Sequence, residues 1–98
     1  MTMRTTKDMD YIFDLDGTEI TIEERQKEIR KAVIEQYVAC RKGRKMTQDE
    51  LARRTGISRP NISRFESGNY NPSLEMMVRM AAALDMTVNV KLVKSEEA

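Results

Sequence analysis

The sequence predicts a mainly α-helical domain with an extended segment near each end. Three observations carry the prediction. From about residue 21 to residue 84 the larger apolar residues recur at three- and four-residue spacing, the period of a helix face. Ser or Thr stands at four positions that suit helix N-caps, and Gly56 and Gly68 stand at two helix ends. Residues 11–22 and 87–92 alternate apolar and polar instead, the period of a strand.

Taken in order, the first ten residues are polar and contain three of the eight methionines. Tyr11, Phe13 and Leu15, then Thr18, Ile20 and Ile22, flank Asp16-Gly17. Asp-Gly between alternating apolar positions is a strong hairpin signal, because a two-residue turn needs positive φ at both central positions. That turn sets Leu15 opposite Thr18 and Phe13 opposite Ile20, with Asp14 unfavourably opposite Glu19. A helix follows, capped by Thr21 with Glu24 three residues on. Ile22, Ile29, Val33, Tyr37 and Cys40 make its inward face, and it ends near Gly43.

Next come three short helices. Thr47 caps one, with Glu50 at N3, Leu51 and Ala52 inward, and Gly56 at its end. Ser58 caps the second, which tolerates Pro60 in its first turn and turns Ile62 and Phe65 inward. Gly68, Asn69, Asn71 and Pro72 make a loop. Ser73 caps the third, whose inward face is Leu74, Met77, Val78, Ala81 and Leu84, with Met76 outward. Two short helices joined by a tight glycine turn form a helix-turn-helix. The organisation is an N-terminal extension (1–20) with a strand or hairpin, a helical domain (21–86) and a C-terminal strand and tail (87–98).

Totals bound the function. A chain of 98 residues supports one modest core. With no histidine and one cysteine, it has no His-based catalysis, no Cys/His zinc site and no internal disulfide. Cys40 reads as a small core residue. No apolar run reaches membrane-span length and the N-terminus is not signal-like, so a cytoplasmic protein is expected. The net charge of +1 hides an asymmetry. Residues 1–28 carry four basic and eight acidic side chains, whereas residues 41–64 carry eight basic and two acidic ones. A concentrated basic block suits a polyanion-binding face, the plainer reading being a solvated helix surface.

One motif pulls toward enzymology. Residues 12–18, I-F-D-L-D-G-T, resemble the opening motif of the haloacid-dehalogenase-like phosphotransferases, in which Asp14 would be nucleophile and Asp16 general acid/base. That fold needs a doubly wound parallel sheet, and no βαβ alternation follows Thr18. The motif therefore reads as a turn. No catalytic residue, metal ligand or cofactor is assigned.

The longest match lies elsewhere. T-Q-D-E-L-A-R-R-T-G-I-S-R-P-N-I-S-R-F-E-S-G-N closely resembles the phage-repressor/Cro (Xre) family, over roughly residues 30–85. The resemblance implies a lambda-repressor-like domain that binds double-stranded operator DNA. It gives helix 58–66 the recognition role and places Arg59, Pro60 and Arg64 at base edges, with Ser58 and Ser63 nearby. It makes Gln48 a phosphate clamp, and Asn61, Asn69 and Asn71 join it as backbone contacts, with turn chemistry the plainer reading at Asn69 and Asn71. It also pairs Arg41 with Glu66 in a structural salt bridge. Lys45 and Asp85 stand where the family usually has glycine, which raises the cost of a left-handed backbone there.

The strand at 87–92 has no internal partner in a helical domain. Val88, Val90 and Leu92 are therefore assigned to a two-fold dimer interface, with pairing to residues 11–15 as the other solution. This ending also resembles antitoxins of the host-inhibition-of-growth type, which repress their own operon and bind an mRNA-cutting toxin. The acidic N-terminal region would suit a small basic toxin. A stand-alone regulator without a toxin is the alternative.

Overall fold

The structure, a computed structural model, describes residues 11–13 and 16–94. The chain divides into two compact units. One runs from Arg30 to Val90. The other holds a hairpin, the first residues of a long helix and the chain from Lys91.

In the hairpin, β1 (Tyr11–Phe13) pairs antiparallel with β2 (Glu19–Thr21). The register is one residue away from that expected for a two-residue turn. Ile12 faces Ile20 and Phe13 faces Glu19. Only Gly17 among the described turn residues takes positive φ, at 84°. Asp16 instead accepts the Thr18 N–H on Oδ1 at 2.9 Å. An Asp that closes its own turn through its side chain does not need the left-handed conformation, so the loop lengthens and the register slips. That slip puts Ile12 on the face of Ile20 and moves Phe13 to the other side. The Leu15–Thr18 and Asp14–Glu19 pairings lie outside the described residues.

Helix α1 spans Ile22–Gly43, with Thr21 Oγ1 accepting the Glu24 N–H at 3.0 Å. Its buried residue is Ile34; Val33, Tyr37 and Cys40 are half-buried, while Ile22 and Ile29 are exposed. The helix closes through paired bonds, Met46 N–H to Arg41 O and Lys45 N–H to Lys42 O. This Schellman closure needs a left-handed residue, and Lys45 supplies it at φ 56°, not Gly43. Asp85 does the same after the last helix at φ 58°, beneath Met86 N–H to Ala81 O. Both non-glycine residues thus keep the left-handed turns. Arg44 holds Asp85 in place through an ion pair of 2.8 Å. A non-glycine residue in this region costs about 1–2 kcal/mol. Lys45→Gly is therefore expected to stabilise the protein by about 1 kcal/mol, read as a higher urea midpoint with unchanged slope. No gain, or a loss, would mean that the turn is not strained.

The other helices are α2 (Gln48–Thr55), α3 (Arg59–Ser67) and α4 (Leu74–Ala83). Thr47, Ser58 and Ser73 cap them, each accepting the N–H three residues on. Ile62 and Phe65 are fully buried and Leu51 nearly so. On α4 the buried side chains are Met76, Met80, Ala81 and, just beyond its end, Leu84. Leu74 and Val78, expected inward, are 65% and 55% exposed. Leu74 through Leu84 is apolar but for Glu75 and Arg79, so spacing alone could not fix which stripe turns inward. The choice falls to Met76 because it packs with Tyr70, whose hydroxyl contacts its sulfur.

Residues 86–94 carry no strand in the single chain. The alternation there cannot form a ladder without a hydrogen-bonding neighbour. Val88 is half-buried along a groove lined by Val33, Tyr37, Cys40, Met77 and Leu84. Val90 is 71% exposed and Leu92 94%.

Candidate nucleic-acid interface

Between α2 and α3 the chain must reverse in three residues. Gly56 makes this possible at φ 76°, its N–H bonding to Ala52 O. A Cβ there would meet only Arg79 Nη1 at 3.9 Å, so backbone conformation, not space, demands glycine. Thr55 locks the turn from inside: its hydroxyl donates to Leu51 O at 2.7 Å and accepts the Ile57 N–H at 3.1 Å. Arg79 of α4 adds a bond to Thr55 O at 3.3 Å. Thr55 and Arg79 were not singled out from the sequence, since neither lies in an apolar stripe.

The turn fixes how α3 is presented. Ile62 and Phe65 anchor it in the core, and the intervening Arg59, Pro60, Asn61, Ser63 and Arg64 are all exposed. Ser58 is used as the cap, accepting the Asn61 N–H at 3.4 Å. Asn61 Oδ1 accepts from Arg64 Nη1 at 3.3 Å. The exposed row thus offers two guanidinium groups, an amide and a hydroxyl, donors suited to base edges and phosphates.

Behind α3 lies a polar knot. Arg41 grips Glu66 side-on, Nε to Oε2 at 2.7 Å and Nη2 to Oε1 at 2.9 Å, while Nη1 donates to Met46 O at 2.8 Å. The Gln48 amide donates to Glu66 Oε1 at 2.9 Å. Gln48 is therefore tied to the end of α3, at the N-terminus of α2, where free N–H groups suit an anion.

Two neighbours were not foreseen. Arg59 Nε lies 3.4 Å from Asp49 Oδ1 of α2, an acidic residue that the charge count treated only as a subtraction from the basic block. Asn71 accepts from Arg30 of α1, a link between the loop after α3 and the first long helix. Asn69 is exposed.

A family model described as helix-turn-helix matches residues 39–90. The chain belongs to the helix-turn-helix family. It is 30% identical to an uncharacterized HTH-type transcriptional regulator of Haemophilus influenzae over 67% of each chain. Similarity extends to the immunity repressor protein of Bacillus phage phi105, 38% identical over 61% of this chain and 45% of the repressor. It extends also to the antitoxin HigA1 of Mycobacterium tuberculosis, 32% identical over 63% of this chain and 42% of the antitoxin. The chain thus spans less than half the length of these last two relatives. A solved toxin–antitoxin module from Streptococcus pneumoniae superposes with a TM-score of 0.61 at 27% identity, over 76% of this chain and 83% of that one. This helix-turn-helix protein is a DNA-binding transcriptional regulator, and its relatives are regulators, a repressor and antitoxins, not enzymes. The Thr18 N–H, and then its side chain, hold Asp16 below the usual carboxylate range, as expected of a turn residue kept charged by its own bonds. Among the described residues, no helix is long and apolar enough to cross a membrane and no acidic, His or Cys cluster could hold a metal.

Proposed function

We propose that the protein is a cytoplasmic repressor that binds a two-fold operator as a homodimer, and that it is the antitoxin of a type II toxin–antitoxin operon. In this reading it represses its own promoter and binds a small basic ribonuclease toxin. The exposed row on α3, set by two fully buried residues of the same helix, carries the DNA-binding part. Arg59 and Arg64 read base edges, Pro60 offers apolar contact, and Ser58 and Ser63 support them. Gln48, with Asn61, Asn69 and Asn71, anchors the phosphate backbone. The dimer rests on Val88, Val90 and Leu92 of the segment 87–92, of which Val88 is half-buried and Val90 and Leu92 are exposed. The antitoxin part is supported by the likeness to the antitoxin HigA1 and to the toxin–antitoxin module, and by the acidic N-terminal region. The likeness to a phage immunity repressor favours the second reading, a stand-alone regulator.

Selection from a randomised duplex pool tests the DNA-binding part. The wild type should enrich paired half-sites about one helical turn apart, with affinity falling steeply as salt rises. Arg59→Ala should flatten the preference at one base pair per half-site, a loss of roughly 1–3 kcal/mol, with little change in non-specific affinity. Gln48→Ala should weaken all sequences alike. If Arg59→Ala enriches the wild-type consensus as stringently, Arg59 is not a base reader. Co-expression with the adjacent reading frame tests the antitoxin part: a toxic, short basic product neutralised by this chain is expected. A harmless neighbour leaves the stand-alone regulator.

A further inference from the structure

We infer that Asp49 is a specificity-determining residue: its carboxylate positions the Arg59 guanidinium for base reading without touching DNA itself. The inference rests on the base-reading role proposed for Arg59. Arg59 is the first residue of α3 and Asp49 the second of α2, so the tight turn at Gly56 brings together side chains ten positions apart. Their contact is Nε to Oδ1 at 3.4 Å. The atom used matters. Guanine O6 and N7 are gripped by two N–H groups in one plane, and an ion-pair contact from the Nε side leaves both terminal Nη groups of Arg59 for that grip. Arg64, the other arginine of the row, has its Nη1 on Asn61 instead.

The pair contributes little to folding. Both side chains are well over half exposed, 61% for Arg59 and 67% for Asp49, and such pairs are weak in water. Its value is in restricting a long side chain that otherwise has many rotamers, so that less freedom is lost when the base contact forms. An arginine at a helix start could otherwise swing to a phosphate. Asp49 also carries a cost. It stands next to Gln48, at the end of α2 that offers N–H groups to phosphate, where a second negative charge repels DNA. A carboxylate that opposes general affinity yet holds a base reader makes a particular prediction: its removal should strengthen non-specific binding and weaken discrimination.

The experiment uses the consensus duplex enriched by the wild type and a scrambled duplex of equal length. Wild type, Asp49→Asn, Asp49→Glu, Arg59→Ala and the double variant Asp49→Asn/Arg59→Ala are titrated with both, and each is carried through selection. Asp49→Asn should bind the scrambled duplex more tightly and lower the consensus-to-scrambled ratio about threefold to tenfold. The lost preference should be at the base pair that Arg59→Ala relaxes. Asp49→Glu should restore part of the ratio. In the Arg59→Ala background, Asp49→Asn should still raise scrambled binding but leave the ratio unchanged. If Arg59→Ala relaxes a position and Asp49→Asn does not, Asp49 has no positioning role and the reading of Arg59 stands. Should Arg59→Ala itself keep the full preference, both fail. A rise in the ratio on Asp49→Asn would also overturn the inference, since the carboxylate would then be sequestering Arg59 from DNA.

Discussion

Replacing Phe65 with Ala is expected to destabilise the helix-turn-helix unit severely, by about 3–5 kcal/mol. Phe65 is fully buried and meets the Tyr37 ring edge-to-face, centroids 5.3 Å apart and planes at 84°. Truncating a buried Phe costs about 3–5 kcal/mol through lost transfer energy and the cavity left behind. The losses here should be toward the upper end, since the Tyr37 hydroxyl is fixed on Met77 O at 2.7 Å and the ring cannot easily collapse into the void. Burial also raises the Tyr37 pKa, with a smaller contribution from Cys40, so that hydroxyl stays a donor across the neutral range. Domains of this size are stable by only about 0.05–0.15 kcal/mol per residue, roughly 5–15 kcal/mol in all, so one such loss takes a third of the margin or more. Circular dichroism on heating should show the transition of Phe65→Ala lowered by tens of degrees or absent. Leu74→Ala is the matched control: it lies on an apolar helix but is exposed, and should change stability by less than about 0.5 kcal/mol. Equal effects at Phe65 and Leu74 would mean that the core is not where the structure puts it.

Leu74 also shows where the sequence stopped being legible. On α2 and α3 a single polar face opposes a single apolar one, and the inward Leu51, Ile62 and Phe65 could be named from spacing. Capping Thr47, Ser58 and Ser73, with Gly56 and Gly68, were equally readable because their hydrogen bonds are local. α4 defeated the same method, being apolar on nearly every side, and Met76 was placed outward when it is buried. The hairpin register failed for a different reason: Asp16 had two ways to serve a turn, and its side-chain bond to Thr18 won over positive φ. Site partners that join distant segments, Asp49 with Arg59 and Arg30 with Asn71, have no local signature at all. The exposed row of α3 was legible from its cap and its anchors; what holds each side chain in place was not.

The knot at Arg41 is expected to be the second most sensitive point. The two side chains are about one-tenth exposed, 11% for Arg41 and 10% for Glu66, so little water is left to replace a lost partner. Arg41→Ala would strand Glu66 with only the Gln48 amide, and would also free the Met46 carbonyl. Breaking a buried pair from one side costs about 3–5 kcal/mol, mostly the penalty of the charge left behind. Glu66→Ala should cost a similar amount, by stranding Arg41 and releasing Gln48. The double replacement Arg41→Met/Glu66→Leu should cost far less than the two single losses together, because no charge is then left in the interior. Urea unfolding of the wild type, of Arg41→Met and Glu66→Leu singly, and of the double variant closes the cycle. Single losses below about 1 kcal/mol, simply adding in the double variant, would show a pair that behaves like a surface contact. Duplex binding adds a second axis. The apolar double variant can keep the fold and still lose affinity for every sequence, because Glu66 is what holds the Gln48 amide at the start of α2. Near wild-type stability combined with the affinity loss of Gln48→Ala would place Glu66 in both roles: it ties α1 to α3, and it positions the side chain proposed to meet the phosphate.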